Sequence, residues 1–338
     1  MAKRTTKSKK EQSPHRILDT IYAFRPARVL LSSFELGIFT AIGDSPKESR
    51  EIAQTLGTSE HATDRLMNAL CGMGLLKKKG GRFLNTPLTA RYLVKGRPDY
   101  LAGLMHQVGL WNSWSTLTQA VREGSSAVVR GEVGDRGSGW LEAFIEAMHM
   151  RARGQAGIVA KLIDLRGVKR VLDVGGGSGA FSMAFVRTKK DVRAVVFDLP
   201  QVTLLTRSFV EKEGFTSSIE TTDGNYETDS LGSGFDLVFL SAIIHSNSTE
   251  VNRLLFKKAN DALNPGGRIV VLDYVMEEDR TALLAGAFFS LNMLVGTKAG
   301  DTYTESEIRQ WMTETGFKEI RRKSTPFGTD LMIGKKKK

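Results

Sequence analysis

A run of glycines that directly follows a short β-branched segment constrains this chain more than any other feature. Residues 171–180 read VLDVGGGSGA, and they predict a strand, a tight turn and the start of a helix over Phe181–Val186. Glycine tolerates positive φ and lets the backbone approach a ligand closely, while the first N–H groups of a helix are free to bind one. We therefore expect a ligand site here, because so many glycines would otherwise cost conformational entropy.

Two classes of ligand bind to a loop of this kind. Gly175, Gly177 and Ala180 satisfy the G-x-G-x-x-G/A fingerprint of dinucleotide sites, although this short pattern alone does not decide the ligand. Asp173 favours S-adenosylmethionine (SAM), since a carboxylate two residues before Gly175 would attract the cationic amino group of methionine and repel a pyrophosphate. Asp198, at the end of the next predicted strand, could bind both ribose hydroxyls in either class.

Beyond Val168 the chain alternates short β-branched runs with helical stretches, which predicts a parallel sheet built from βαβ units. Asp223 follows the third of these strands, where it could accept a hydrogen bond from the adenine amino group. Asn264–Gly267 (NPGG) predicts a sharp turn into the last parallel strand, and Phe317–Ile333 predicts a closing hairpin. The predicted parallel strands are Arg170–Val174, Ala194–Phe197, Ser218–Thr221, Phe235–Leu240 and Arg268–Leu272.

The first hundred residues predict a separate helical module. Apolar residues recur at helical spacing over residues 15–43, with Pro26 splitting two helices and Gly37 and Gly43 marking the end of the second. Their apolar surface predicts burial against a second subunit. Residues 101–165 predict mostly helix, with a glycine-rich break at Gly131–Gly139.

A helix-turn-helix with a wing lies within this module and raises the question of DNA binding. Ser49–Thr55 and Glu60–Met73 predict the two helices, and Lys77–Phe83 predicts the hairpin. The first turn of the second helix, Ser59–Asp64, holds two acids and no Arg or Lys, which suits a phosphate-lined groove poorly. Arg65 and the basic wing favour DNA binding, but we interpret the module as one used for packing.

Composition narrows the function classes. Of the formal net charge of +11, residues 1–12 carry +4 and residues 335–338 carry +4, so we expect two solvated basic tails and no specific nucleic-acid site. The chain has no apolar run of about 18 residues and no h-region after its basic start, so we expect no membrane span, no secretory signal and a cytoplasmic protein. Cys71 is the single cysteine, and no metal-ligand spacing occurs.

Five strings occur in order along the second half: VLDVGGGSGAFS, VVFDLPQV, DGNY, FDLVFLSAIIHS and NPGGRIVVLDYV. This set resembles the two-domain, SAM-dependent small-molecule O-methyltransferases of the caffeate and hydroxyindole type. The resemblance is close in the C-terminal half and looser in the N-terminal half. It implies an α/β fold: the class I SAM-methyltransferase sheet, Rossmann-like, with seven strands of which the last is antiparallel, and an N-terminal winged-helix domain that forms a homodimer.

The resemblance also implies domain bounds and a set of site residues. Residues 1–12 would be a disordered tail, 13–105 the dimerisation domain, 106–165 a helical connector that contributes to the substrate pocket, and 166–338 the SAM-binding domain. His245 would be the catalytic base and Asp273 an acid that flanks it, while a second flanking acid aligns near Thr302, with Asp301 beside it. The implied cofactor-binding residues are Asp173, Gly175, Gly177, Gly179, Asp198, Leu199, Asp223, Gly224, Ser241 and Arg151, and the implied substrate-binding residues are Phe144, Met148 and Met293.

The chain departs from the family pattern beside the histidine. The family's His-Asp-Trp is here His245-Ser246-Asn247, so the aromatic wall supplied by the tryptophan is missing. Ser241 stands where plant members often have a lysine. Among the other histidines, His149 lies between two methionines and could line the pocket. His15 and His61 are interpreted as solvated residues, and His106 as a helical residue of the connecting region without a catalytic role.

Elementary chemistry supports a base at His245. A phenol has a pKa near ~10 and histidine titrates near ~6.5, so an imidazole can raise the nucleophilic fraction of a phenol at neutral pH. His245 directly follows the fourth strand and Asp273 ends the neighbouring one, at the edge of the sheet where open α/β folds bind ligands. The sequence therefore predicts methyl transfer from SAM to a hydroxyl of a small aromatic acceptor, phenolic and possibly flavonoid-like, with S-adenosylhomocysteine as the other product.

Other functions stay open at this point, and the acceptor is not identified by any motif. A C- or N-methyltransferase would use the same scaffold, because a fold does not fix the acceptor. A SAM-sensing DNA-binding regulator would use the winged helix, and an NAD-linked oxidoreductase would use the glycine loop.

Overall fold

The computed structural model describes residues 14–127 and 139–337 of the chain. It divides into two compact units, Met1–Gly109 and Leu110–Lys338. The basic tail expected over residues 1–12 and most of the glycine-rich break at Gly131–Gly139 lie outside the described residues. The domain bounds implied by the resemblance stay a prediction.

Unit 1 is helical and contains one small hairpin. Pro26 lies in the first turn of its helix, where a missing N–H costs nothing, so the chain breaks at Ala23 instead. Gly37 takes φ +79° and separates two helices where the sequence predicted the end of one. The elements are α1 (His15–Tyr22), α2 (Phe24–Glu35), α3 (Ile38–Ile42), α4 (Ser49–Leu56), α5 (Glu60–Gly72), β1 (Leu76–Lys79), β2 (Arg82–Asn85) and α6 (Pro87–Tyr92).

The predicted pair of helices and the hairpin are present in this unit as α4, α5 and β1–β2. Lys79 pairs with Arg82 across Gly80 and Gly81, which both have positive φ, as a two-residue hairpin turn requires. One basic side chain of the wing is paired within the unit, because Lys78 Nζ donates to Asp64 and Asn68 on α5.

Unit 2 begins within α7, and its centre is a seven-stranded sheet. The strands lie in the order β10-β11-β7-β6-β3-β4-β5, with β3 to β7 parallel and β11 antiparallel to both of its neighbours. This confirms the predicted class I sheet. The elements are α7 (Leu104–Trp114), α8 (Leu117–Glu123), α9 (Trp140–Leu162), β3 (Arg170–Val174), α10 (Ala180–Thr188), β4 (Arg193–Asp198), α11 (Pro200–Lys212), β5 (Ile219–Asp223), β6 (Phe235–Ser241), a 3₁₀ turn (Ile244–Ser246), α12 (Thr249–Ala262), β7 (Leu263–Asp273), β8 (Val275–Met276), α13 (Leu284–Gly296), β9 (Tyr303–Thr304), α14 (Glu305–Glu314), β10 (Phe317–Ser324) and β11 (Asp330–Lys336).

The segment NPGG does not precede β7 as predicted but lies within it. Phe235 of β6 pairs with Leu263, whereas Leu237 pairs with Arg268, so the four residues between loop out of the ladder. Gly266 has φ +77°, which accounts for the sharp local bend. The prediction of a turn was therefore right in conformation and wrong in placing it before the strand.

The sheet of unit 2 is buried on both faces. Val171, Phe239 and Val270 face a core formed with α9 and α10, while Leu172, Val238 and Ile269 face the opposite core with α12 and α14. This alternation follows from the two-residue period of a strand. The near-continuous apolar runs of β3, β6 and β7 are the pattern of a parallel sheet covered on both sides.

Within residues 14–127 and 139–337, no helix has both the length and the apolar character that crossing a membrane requires. The same residues contain no cluster of three or more His, Cys, Asp or Glu placed to hold a metal ion.

We predict that Phe239→Ala lowers the free energy of unfolding by about 3–5 kcal/mol, because it leaves a cavity in the core. Phe239 is fully buried, and its ring centroid lies 5.1 Å from those of both Phe181 and Phe185. Urea denaturation measures the change. Phe288→Ala is the matched control, since Phe288 is 55% exposed; equal losses for the two variants would contradict the packing described.

Candidate active site

The glycine loop joins β3 to α10 in a conformation that other residues would strain. Gly175, Gly177 and Gly179 have φ of +63°, +54° and +73°. A Cβ atom on Gly175 would lie 2.6 Å from Ile243 Cδ1, and one on Gly176 would lie 2.8 Å from Asp173 Cγ. The loop therefore needs glycine both for backbone conformation and for space.

Asp173 lies beneath this loop, with only 1% of its surface exposed. Its Oδ2 accepts a hydrogen bond from Ser182 Oγ at 2.7 Å, while its buried Oδ1 has no hydrogen-bond partner among the described residues. Burial, and secondarily the charge of Asp198, raises the pKa of Asp173 to about 7. A buried acceptor without a partner is costly, so a cationic donor would fit there. Direct contact with a cofactor stays a prediction.

Asp198 ends β4 and fixes the loop from the side. Its Oδ2 accepts from the N–H of Gly177 at 2.9 Å, and its Oδ1 accepts from the N–H of Leu199 at 2.8 Å. Burial raises the pKa of Asp198, whereas these two hydrogen bonds lower it less. Leu199 caps α11, which begins at Pro200. Each carboxylate oxygen keeps a lone pair, so the proposed ribose contact is chemically compatible with this arrangement.

Asp223 is the register partner of Asp198 at the end of β5. It is exposed, accepts from Thr203 Oγ1 at 2.5 Å and lies 3.6 Å from Arg207 Nη2. Gly224 donates its N–H to the carbonyl of Asp198, and a Cβ there would lie 2.4 Å from Phe197 Cζ. The two residues are thus placed beside Asp198, while their adenine contacts stay a prediction.

His245 and Asp273 form a buried pair at the carboxyl ends of β6 and β7. Both oxygens of Asp273 lie 2.9 Å from Nδ1 of His245. A carboxylate at Nδ1 favours the tautomer with its proton there, which leaves a lone pair on Nε2. The ring of Phe289 meets the imidazole edge-on, at 4.7 Å between centroids. The arrangement predicted for these two residues is therefore present, although their catalytic role is not tested by it.

The backbone between β6 and His245 is strained. Ala242 has φ +54°, a conformation that costs non-glycine residues of order 1–3 kcal/mol. Its N–H donates to the carbonyl of Leu272 at 2.9 Å. This turn directs the chain away from β6 and sets the imidazole beside the end of β7.

The second flanking acid implied near Thr302 does not reach the imidazole. Thr302 is buried and bonds to the carbonyl of Gly286, while Asp301 accepts from Ser290 Oγ and from Arg280. Among the hydrogen bonds of the described residues, neither one joins His245. Gly300 packs on it instead, since a Cβ there would lie 2.3 Å from the carbonyl oxygen of His245.

The remaining expected residues lie on α9, α13 and the end of β6. Arg151 donates to the hydroxyl of Tyr274 at 3.0 Å, which places it beside the residue that follows Asp273. Phe144 stacks on Trp140 at 5.2 Å. Their binding roles stay predictions; Ser241 and Met148 are half-buried, and Met293 is buried.

His149 proves to contact the glycine loop, which the sequence did not reveal. Its Nδ1 lies 2.9 Å from Ser178 Oγ, and its ring stacks on Phe209 at 4.4 Å between centroids. Burial lowers the pKa of His149, so the neutral imidazole is favoured. The one available signal was the serine inside the glycine run, because a buried hydroxyl needs a partner.

We predict that Asp173 makes the protein less stable as the pH rises from about 4 to about 8. The pKa of Asp173 in the folded state is about 7, above the usual 3.8, so the folded state binds this proton more tightly than the unfolded state does. The stability gained from that binding is lost as the pH rises through 7. Asp173→Asn should flatten this slope, measured by urea denaturation across the range. Asp261→Asn, at an exposed carboxyl, should keep the wild-type slope; identical slopes for both variants would refute the assignment.

Comparison with known proteins identifies the family of this chain. A family model described as an O-methyltransferase domain matches residues 114–318, and one described as an O-methyltransferase dimerisation domain matches residues 18–95. The chain is 31% identical over 334 residues to 3-hydroxy-5-methyl-1-naphthoate 3-O-methyltransferase of Streptomyces sahachiroi, covering 96% of this chain and 95% of the relative. It is 27% identical to the tetracenomycin polyketide synthesis 8-O-methyl transferase of Streptomyces glaucescens, covering 96% and 97%.

A solved structure is similar over nearly the whole chain. Human N-acetylserotonin methyltransferase in complex with SAM has a TM-score of 0.82 and 25% identity, with 97% of this chain and 98% of that chain covered.

Proposed function

This chain belongs to the O-methyltransferase family, and from that premise we propose that it methylates a hydroxyl of a small aromatic acceptor, with His245 as the general base and SAM as the donor. The observation that carries the proposal is the buried His245–Asp273 pair, which lies at the same edge of the sheet as the glycine loop. One relative acts on a hydroxynaphthoate, an aromatic hydroxyl of the proposed class.

The loop residues fit SAM by their chemistry. The unpartnered Oδ1 of Asp173 calls for a positively charged donor, and the methionine portion of SAM carries one. Asp198 and Asp223 lie side by side at the ends of β4 and β5, where they would hold the ribose and the adenine. When bound, SAM supplies a methyl group that its sulfonium has already activated, so the protein has to orient the acceptor and remove its proton.

The proton is removed by His245. Asp273 holds the Nδ1 proton, which directs the lone pair of Nε2 towards the acceptor hydroxyl. Nε2 would accept the proton of the acceptor hydroxyl, and Asp273 would stabilise the resulting imidazolium. Phe289 packs edge-on against the ring and restricts its rotation.

The alternatives from the sequence are not favoured. Both family models and the curated relatives are O-methyltransferases rather than C- or N-methyltransferases, DNA-binding regulators or oxidoreductases. In unit 1, the wing lysine Lys78 is bonded to Asp64, which leaves less positive surface for a nucleic acid.

The proposal extends to a homodimer built on unit 1. The dimerisation model covers residues 18–95, and we assign α4, α5 and the hairpin as a winged helix used for packing. Helix α1 buries none of its residues among the described parts of its own chain. Its exposed apolar side chains, with the first residue of α2, supply a surface for the partner: Ile17, Leu18, Ile21, Tyr22 and Phe24. The cytoplasmic location stays a prediction.

We predict that His245→Ala lowers kcat by about 10²–10⁴-fold, the usual contribution of a general base. SAM binding should stay within about twofold, since the glycine loop is intact. The assay quantifies S-adenosylhomocysteine with an acceptor chosen from hydroxynaphthoates, catechols and hydroxyindoles, and calorimetry measures SAM affinity. His61→Ala, at an exposed histidine of unit 1, is the matched control. Unchanged turnover in His245→Ala would exclude the general base.

We predict that Ile21→Glu shifts the protein from dimer to monomer, because a buried carboxylate would face the partner's apolar surface. Sedimentation at micromolar concentration measures the state. Leu204→Glu places the same charge on an exposed residue of unit 2 and should remain dimeric. A wild-type protein that sediments as a monomer would refute the homodimer.

A further inference from the structure

We infer that Asn247 is a positioning residue that couples the segment after β5, beside the cofactor-binding carboxylates, to the turn that carries His245. The inference rests on the proposed function, since it concerns how the proposed base is held. Asn247 directly follows the 3₁₀ turn and is 6% exposed.

Hydrogen bonds hold this turn from outside. Asn247 Nδ2 donates to Asn252 Oδ1 at 3.1 Å, and Asn252 Nδ2 donates back to the carbonyl of Ile244 at 2.9 Å. The hydroxyl of Tyr303 donates to the carbonyl of Asn247 at 2.5 Å. Both ends of the turn are thereby tied to α12 and β9, with His245 between them.

A further hydrogen bond joins Asn247 to the segment after β5, beside the proposed cofactor-binding residues. The hydroxyl of Tyr226 donates to Asn247 Oδ1 at 2.8 Å. Tyr226 lies two residues after Gly224, whose N–H bonds to the carbonyl of Asp198. Burial raises the pKa of Tyr226 to about 12, with smaller contributions from the charges of Glu227 and then Asp198, so the hydroxyl stays protonated and remains a donor.

The segment that carries Tyr226 is itself rigid. Lys258 Nζ, on α12, donates to the carbonyls of Tyr226, Glu227 and Asp229 at 2.8, 2.9 and 2.9 Å. The carboxylate of Asp229 accepts from the N–H of Asn225 at 2.8 Å. A shift of this segment is therefore passed to Asn247 rather than absorbed locally.

The donor and acceptor roles along these hydrogen bonds explain why an amide is needed at position 247. The carbonyl of Ile244 can only accept, so Asn252 must donate to it with Nδ2 and accept with Oδ1. Position 247 must then donate to Asn252 and accept from Tyr226. Asparagine does both, an ionised aspartate can only accept, and leucine does neither.

The structural consequence follows from burial. Removal of the amide leaves buried polar atoms of Asn252 and Tyr226 without partners, and the turn relaxes to satisfy them. A relaxed turn moves the imidazole off its line to the acceptor, so kcat falls while the binding of SAM and acceptor changes little.

A mutant cycle tests this inference. Asn247→Leu and Tyr226→Phe are each made in the wild-type and His245→Ala backgrounds, and the two are also combined in the wild-type background. For every variant kcat, the acceptor KM and SAM affinity are measured. We expect Asn247→Leu to lower kcat about tenfold in the wild-type background, the effect of losing about one to two buried hydrogen bonds. The acceptor KM and SAM affinity should stay within about twofold.

The remaining variants test whether the effect of Asn247→Leu acts through Tyr226 and through His245. Tyr226→Phe should add less than about twofold to Asn247→Leu, since their shared bond is already lost. In the His245→Ala background, Asn247→Leu should lower the residual turnover by less than about twofold, because its effect acts through the imidazole. Asn68→Leu, which removes an exposed amide of unit 1, should leave kcat unchanged.

Each contrary result has a distinct meaning. Wild-type kcat in Asn247→Leu, or an equal loss with and without His245, overturns the positioning role while the general base stands. Wild-type turnover in His245→Ala alone excludes His245 as the general base and overturns this inference with it. If Asn247→Leu fails to fold, Tyr226→Phe, which removes only a hydroxyl, decides the outcome: wild-type kcat refutes the coupling.

Discussion

The parallel pairing of β3 with β4 on one side and β6 on the other is the constraint on which the site depends. Parallel strands end at a common edge, so residues far apart in sequence meet there. Asp198, His245 and Asp273 all come from strand ends or from the turns that follow them. The chemistry proposed for this chain is therefore a consequence of its strand order.

Two loops make contact at that edge, and each begins with a residue at positive φ. The glycine loop leaves β3 with positive φ at Gly175, and the chain leaves β6 with positive φ at Ala242. Ile243, directly after Ala242, packs so closely on Gly175 that a Cβ would not fit. The loop proposed to bind SAM and the turn that carries the base thus form one packed unit. A hydrogen bond from Tyr226 to Asn247 joins the segment after β5 to the end of the same turn.

Local patterns in the sequence were enough to predict the main helices and strands. The β-branched run Arg170–Val174 matched its strand at both ends, and the closing hairpin and the two helices of unit 1 lie where they were expected. His245 and Asp273 could be paired because strand order alone brings them together. The helix α3 was missed, since Gly37 was interpreted as a terminator rather than as a bend between two helices.

Side-chain contacts between distant segments could not be predicted from the sequence. The bonds from His149 to Ser178 and from Tyr226 to Asn247 join segments that no periodic pattern relates. For the same reason the sequence could not show that Asp301 does not flank His245. Asp301 lies close to the aligned position, but its carboxylate bonds to Arg280 and Ser290. Such contacts depend on packing that only the folded chain defines.

The most direct test of the account is a crystal structure with S-adenosylhomocysteine and an aromatic acceptor bound together. The account predicts that the acceptor oxygen lies about 2.6–3.2 Å from Nε2 of His245, while Nδ1 keeps its bond to Asp273. An acceptor whose hydroxyl lies beyond the reach of Nε2, or an imidazole turned away from Asp273, would contradict it.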